Sequence, residues 1–199
     1  MKFYAAILNK INNPLIIDEI ENEKLLEGQV LLKIIKTGIC RSQIFEIFGG
    51  RGEDKWLPHL LGHEAIGLVI DIGKGVKKVK IGEKVIVTWI SSKGINANPA
   101  KYIWRNKRLN GGQVTTFSEY SVCSENKLVP LNTGLKGDIS PSIGCAWPTG
   151  YGLSLTLKKI KKSKTIGIMG LGGIGMAALL GVLDQNKNAT IITYDLNEL

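Results

Sequence analysis

The sequence predicts a mostly β, barrel-like domain over residues 1–150, followed over residues 151–199 by the first βαβ unit of a parallel α/β sheet. Three observations carry that division. Up to about residue 150 the chain runs as short β-rich segments broken by glycine turns, and from Tyr151 the pattern changes to helix, apolar strand, glycine turn, helix and strand. Between that strand and helix, four glycines crowd into six positions: Gly170, Gly172, Gly173 and Gly175.

Taken in order, residues 3–8, 30–36, 65–72, 84–89 and 118–123 are rich in β-branched and aromatic side chains and read as strands of a mostly antiparallel domain. Gly73-Lys74-Gly75 and Asn110-Gly111-Gly112 read as turns between strands. Short helices are expected at residues 42–48 and near 140–145. Beyond Tyr151 the expectation is a helical segment at 152–160, a buried strand at 165–169, a helix to about Gln185 and a second strand at 190–194. A complete sheet of this doubly wound kind has about six strands, and two are present, so the α/β part reads as C-terminally incomplete.

Composition narrows the function classes. The chain is 44% hydrophobic over 199 residues, as expected of a globular protein. Its net charge of +9 rests mainly on lysine, with four arginines among 26 basic residues and no interleaving of arginine with aromatic residues, so nucleic-acid binding is not expected. The lysines read as solvated faces; the run at 158–164 suits a helix end and its following loop. Residues 166–183 carry no charge, yet six of them are glycine, which suits strand, turn and helix better than a membrane span. The N-terminal apolar run is too short for a secretory signal, and a cytoplasmic protein is expected. Three widely spaced cysteines, Cys40, Cys123 and Cys145, argue against a disulfide framework and leave metal binding or burial to explain them.

The glycine run Gly170-Leu171-Gly172-Gly173-Ile174-Gly175 follows a strand and opens a helix, and Asp195 stands twenty residues beyond its last glycine at the end of the next strand. Each part has a mechanical reason. Gly170 permits a tight turn, Gly172 lets backbone approach a pyrophosphate, and Gly175 lets helix and strand pack closely, while the helix N-terminus offers N–H groups to phosphate. Asp195 would accept hydrogen bonds from ribose hydroxyls and repel a 2′-phosphate. A dinucleotide is therefore expected, NAD rather than NADP.

There are two histidines, His59 and His63. His63 lies in Gly62-His63-Glu64-Ala65-Ile66-Gly67, with Gly73 and Val76 downstream, and this G-H-E-x-x-G pattern resembles the signature of zinc-containing alcohol dehydrogenases of the medium-chain type. Cys40-Arg41-Ser42, Gly144-Cys145 with Pro148-Thr149-Gly150-Tyr151-Gly152, and the glycine turn resemble further motifs of the same family, in the same order. The resemblance implies a GroES-like catalytic domain followed by a Rossmann NAD-binding domain. It implies one catalytic zinc held by Cys40, His63 and Cys145, with a fourth position open to water or substrate. Glu64 would stand beside the metal, either as a transient ligand or as an acid that never touches it. Ser42 would take the proton of an alcohol, Arg41 would reach a cofactor phosphate, Thr149 would contact the nicotinamide, and Trp89 would line the substrate pocket from its strand. His59 reads as structural and Cys123 as a buried small hydrophobe.

The departures from the family pattern have their own consequences. Gln43 stands where many members carry an aspartate; it can accept a hydrogen bond from a ligand imidazole without adding charge. Phe45 stands where some members carry a relay histidine. No cysteines occur between Ile90 and Gly112, where many relatives hold a structural zinc, so segment 91–110 is expected to be held by packing alone, with one zinc site per chain. The implied activity is hydride transfer between an alcohol, aldehyde or ketone and NAD, in a homo-oligomeric full-length form. A zinc-free quinone or enone reductase of the same superfamily, and a zinc-binding fragment without catalysis, stay open as alternatives.

Overall fold

Alternation of apolar and polar residues builds the first sheet. In the computed structural model, which describes residues 1–131, 140–157 and 159–197, strand β1 (Lys2–Leu8) buries Phe3, Ala5 and Ile7 while Lys2 and Tyr4 face solvent. Lys158 of the basic run lies outside the described residues. β1 pairs antiparallel with β2 (Ile16–Asn22), and a barrel closes through β7 (Ala100–Trp104), β8 (Lys107–Gly112) and β4 (His59–Leu60) in the order β1-β2-β7-β8-β4. Its interior is filled by Phe3, Ile7, Ile20, Leu60, Tyr102 and Leu109. Tyr102 is fully buried, its ring edge-on to Phe3, and its hydroxyl accepts the Val122 N–H at 2.8 Å, so the one polar atom it carries inward is satisfied.

A second, five-stranded sheet has the order β10-β6-β5-β3-β9, from β10 (Leu128–Pro130), β6 (Lys84–Val87), β5 (Ala65–Ile72), β3 (Gln29–Thr37) and β9 (Tyr120–Ser124). Val30, Leu32, Val69, Val85, Val87, Cys123 and Leu128 form its core. Cys123 behaves as a small hydrophobe: fully buried, its thiol is pushed by that burial up to about 11. A single short helix, α1 (Arg41–Ile47), follows β3 where a helix at 42–48 is expected.

Several sequence expectations need correction. The strand expected at 84–89 ends at Val87, so Trp89 is not on a strand; it stands two residues past the end and is half exposed. Asn110-Gly111-Gly112 is not a turn but the end of β8, with Gly111 against the Tyr102 ring. Segment 91–110 is not held by packing alone. It contains β7 and most of β8, and the buried Glu125 carboxylate accepts N–H bonds from Lys77 (2.6 Å), Lys78 (2.7 Å) and Ile95 (2.6 Å). Beside it, Lys127 Nζ donates to the Trp89 carbonyl and Ser91 Oγ, and the Ala97 N–H donates to Ser124 Oγ.

The chain divides into two units, Met1–Pro141 and Ser142–Leu199, a boundary that precedes the change of pattern at Tyr151. The second unit opens with a 3₁₀ turn at Pro141–Gly144 and α2 (Ala146–Thr156), which begins earlier and ends sooner than the helical segment expected at 152–160. Then come β11 (Thr165–Met169), α3 (Gly173–Gln185) and β12 (Thr190–Tyr194), with β11 and β12 paired in parallel. The 166–183 run is thus strand, turn and helix; no helix among the described residues is long and apolar enough to cross a membrane.

Candidate functional site

The end of β3 and the start of β5 bring the first group of candidate residues together. The two strands pair from Val30↔Ile72 to Thr37↔Ala65, so the chain leaving β3 toward Cys40 and the chain entering β5 from His63 lie side by side. Gly62, at φ +93°, takes a backbone conformation that favours glycine immediately before His63. The Gly38 N–H and the Thr37 hydroxyl both donate to the Glu64 carbonyl, at 3.0 and 3.1 Å, fixing the two segments on one another. Cys40 then stands at the N-cap of α1, and its Sγ and a ring nitrogen of His63 lie within 4.8 Å of each other.

The pair is half-buried. Burial, and then the positive charge of Arg51, hold the His63 pKa below its ordinary value, which favours the neutral imidazole that a metal requires. Gln43, the buried residue of α1, places its side-chain amide nitrogen 2.7 Å from His63 Nδ1. Glu64 is 4% exposed; its Oε2 has no hydrogen-bond partner among the described residues, and burial pushes its carboxyl pKa up. A Cβ on Gly38 would collide with that carboxylate, so the glycine makes room for it. A thiol and an imidazole within bonding reach of one point are part of a donor set that fits zinc.

Other candidate residues fall as follows. Arg41 is the exposed first residue of α1, and Ser42, half-buried, directs its hydroxyl at Gln43 Oε1 over a long 3.5 Å. Phe45 is exposed on the same helix. His59 is held by two hydrogen bonds of 2.8 Å, from Nδ1 to the Leu60 carbonyl and from Nε2 to Asp54, as suits a structural histidine. The roles of Thr37, Gly38 and Thr116 around the Glu64 backbone were not found from the sequence. The only signal available was a small residue and a hydroxyl just before Cys40.

In the second unit, Cys145 is the buried N-cap residue of α2, and Thr149 donates to its carbonyl through both N–H (3.2 Å) and Oγ1 (2.8 Å). The glycine turn connects β11 to α3. Gly170 has φ +86°, and a Cβ on Gly175 would run into the Gly170 carbonyl oxygen, so close passage of helix over strand end demands glycine there. A Cβ on Gly172 would meet open space, the condition for close approach by a ligand. Asp195 Oδ2 accepts the Leu171 N–H at 2.6 Å and Oδ1 accepts that of Asn197 at 3.0 Å; these bonds, Asn197's foremost, hold its pKa below the usual carboxylate value.

Comparison with known proteins identifies the family. Residues 26–133 match the family described as alcohol dehydrogenase GroES-like domain. The chain is 31% identical to the S-(hydroxymethyl)glutathione dehydrogenase of Synechocystis sp., an alignment covering 99% of this chain and 60% of that protein. Among solved structures it is similar in fold to an alcohol dehydrogenase zinc-binding domain protein from Burkholderia ambifaria, with a TM-score of 0.85 and 20% identity over 99% of this chain and 60% of the other. It is also similar to the benzyl alcohol dehydrogenase of Acinetobacter calcoaceticus, with a TM-score of 0.79 and 21% identity over 97% of this chain and 58% of the other. The chain thus spans about 60% of the length of these relatives. With its family domain matched across more than half its residues, the chain belongs to the zinc-containing medium-chain alcohol dehydrogenase family.

Proposed function

We propose that this chain serves transfer of a hydride between an alcohol or carbonyl substrate and NAD, with one zinc ion at Cys40, His63 and Cys145. The observation that carries the reading is the approach of Cys40 Sγ and a His63 ring nitrogen to within 4.8 Å of each other. Cys145, the third ligand, is assigned by its place in the family motif. When bound, zinc supplies Lewis acidity toward the substrate oxygen and NAD supplies the hydride acceptor.

The chain's own residues do the rest. Ser42 Oγ, two residues from Cys40, accepts the proton of the substrate hydroxyl as it passes its own on, the first step of a relay out to solvent. Arg41, exposed at the start of α1, pairs with a cofactor phosphate, and Thr149 contacts the nicotinamide end. Trp89 borders the substrate pocket from the loop after β6 rather than from a strand. The second unit's β11–α3–β12 is read as the start of a Rossmann-type NAD-binding domain. Its turn (Gly170, Gly172, Gly173, Gly175) admits the pyrophosphate, and Asp195 accepts the ribose hydroxyls. A carboxylate has about four lone-pair positions, so the two N–H bonds it already accepts leave room for them. The protein is read as a homo-oligomer acting on a small-molecule alcohol or aldehyde.

Cobalt titration tests the reading. Uptake of Co²⁺ by the purified chain, with a cobalt–thiolate charge-transfer absorption that is weakened in Cys40→Ser and in Cys145→Ser and absent when both are replaced, is the expected result. Uptake unchanged in both variants would contradict the ligand assignment.

A further inference from the structure

Gln43 does more than fill space behind His63. It is 5% exposed, its Nε2 lies 2.7 Å from His63 Nδ1, and its Oε1 faces the Ser42 hydroxyl at 3.5 Å. One amide therefore stands between a proposed metal ligand and the proposed proton acceptor. A primary amide offers donors at one end and an acceptor at the other, and the two ends are nearly equal in shape.

The donor and acceptor roles then follow by elimination. With Nε2 toward the histidine, Gln43 can only donate to Nδ1, so neutral His63 must carry its proton on Nε2, and the Ser42 hydroxyl donates to Oε1. In that arrangement neither imidazole nitrogen has a lone pair to offer. With the amide turned end for end, Oε1 accepts an Nδ1–H and leaves the His63 Nε2 lone pair open. The Gln43 Nε2–H then donates to Ser42 Oγ, and the serine's own proton is released to point elsewhere. A carboxylate at position 43 could do only the second of these for the histidine, and would always take the serine proton.

We propose that Gln43 is a positioning residue whose side-chain amide turns end for end when His63 takes a metal, so that metal occupancy sets the direction of the Ser42 hydroxyl. The proposal rests on the reading of His63 as a zinc ligand. Its consequence is that the Ser42 hydroxyl donates to Gln43 in the metal-free chain and accepts from it when metal is present, which leaves the serine's own proton free to be passed on as Oγ accepts another.

The chain has two histidines, so its imidazole nitrogens can be followed individually by two-bond ¹H–¹⁵N correlation. Expected is an Nε2–H tautomer for His63 in the metal-free chain, changing to Nδ1–H with a metal-bound Nε2 on addition of zinc, while His59, fixed by the Leu60 carbonyl, does not change. Gln43→Glu, the same shape without donors, should show Nδ1–H before and after zinc. Gln43→Met should leave His63 without a fixed tautomer and weaken zinc binding by about 10- to 100-fold. Zinc uptake by the wild-type chain with Nδ1–H already present beforehand overturns the amide turn and leaves the ligand reading standing. Failure of the folded wild-type chain to take up zinc overturns both.

Discussion

The two units of the chain treat apolar surface in opposite ways. In Met1–Pro141, Ile7, Leu8, Val30 and Leu32 are completely buried between paired strands, and the first sheet closes on itself. In the second unit the parallel pair β11–β12 leaves Met169 85% exposed, and Ile192 and Tyr194 are exposed as well. The first unit therefore carries a self-contained core on which side chains can be held to a fixed geometry. The two strands of the second unit hold no such enclosed core among the described residues.

Mutations separate these regimes. The largest effect expected is from Leu32→Ala, which empties a fully enclosed site and should lower the stability of the first unit by about 3 kcal/mol in urea unfolding, followed through the buried Trp104. Glu125→Gln comes next, at about 2 kcal/mol, because three backbone N–H groups lose a charged acceptor. Burial opposes the Glu125 charge, but the N–H bonds of Ile95, Lys77 and Lys78 win and hold its pKa below the unfolded value. Its stabilisation is therefore fully present above the unfolded pKa of about 4.3 and lost as pH falls through the lower folded value. Acid unfolding of the variant should show a shallower dependence on pH than wild type over that window.

A comparable effect is expected from Gly175→Ala, whose new methyl meets the backbone carbonyl of Gly170: about 2 kcal/mol, read as faster hydrogen exchange in β11, α3 and β12 with the barrel unchanged. The smallest belongs to Met169→Ser, below about 0.5 kcal/mol. Equal destabilisation by Leu32→Ala and Met169→Ser would break the contrast between the two units.

What could be read from sequence followed the same contrast of local and non-local cause. β5, β11 and β12 fall on their expected bounds because each is an apolar, β-branched run bounded by turn residues, glycine after β5 and β11 and Asn188 and Asp195 around β12. β2 was missed because three acids interrupt it and its one fully buried residue, Ile20, is recognised only by its neighbours in the barrel. The β7–β8 hairpin was hidden by its turn: Arg105 and Asn106, at φ +49° and +59°, take the conformation usually left to glycine. β4, two residues long, exists only through pairing. At the site, Cys40, His63, Glu64 and Gln43 were legible because short motifs carry them. The cradle of Thr37, Gly38 and Thr116 was not, since it arises from the register of β3 on β5 and from a loop far away in sequence.

The central claim is that this chain holds zinc through Cys40 and His63, and elemental analysis of the purified protein beside His63→Ala tests it most directly. About one zinc per wild-type chain and almost none in a variant that keeps the barrel's circular dichroism is the predicted result. A folded wild-type chain without zinc after incubation with the metal, or a His63→Ala chain that retains it, would contradict the account.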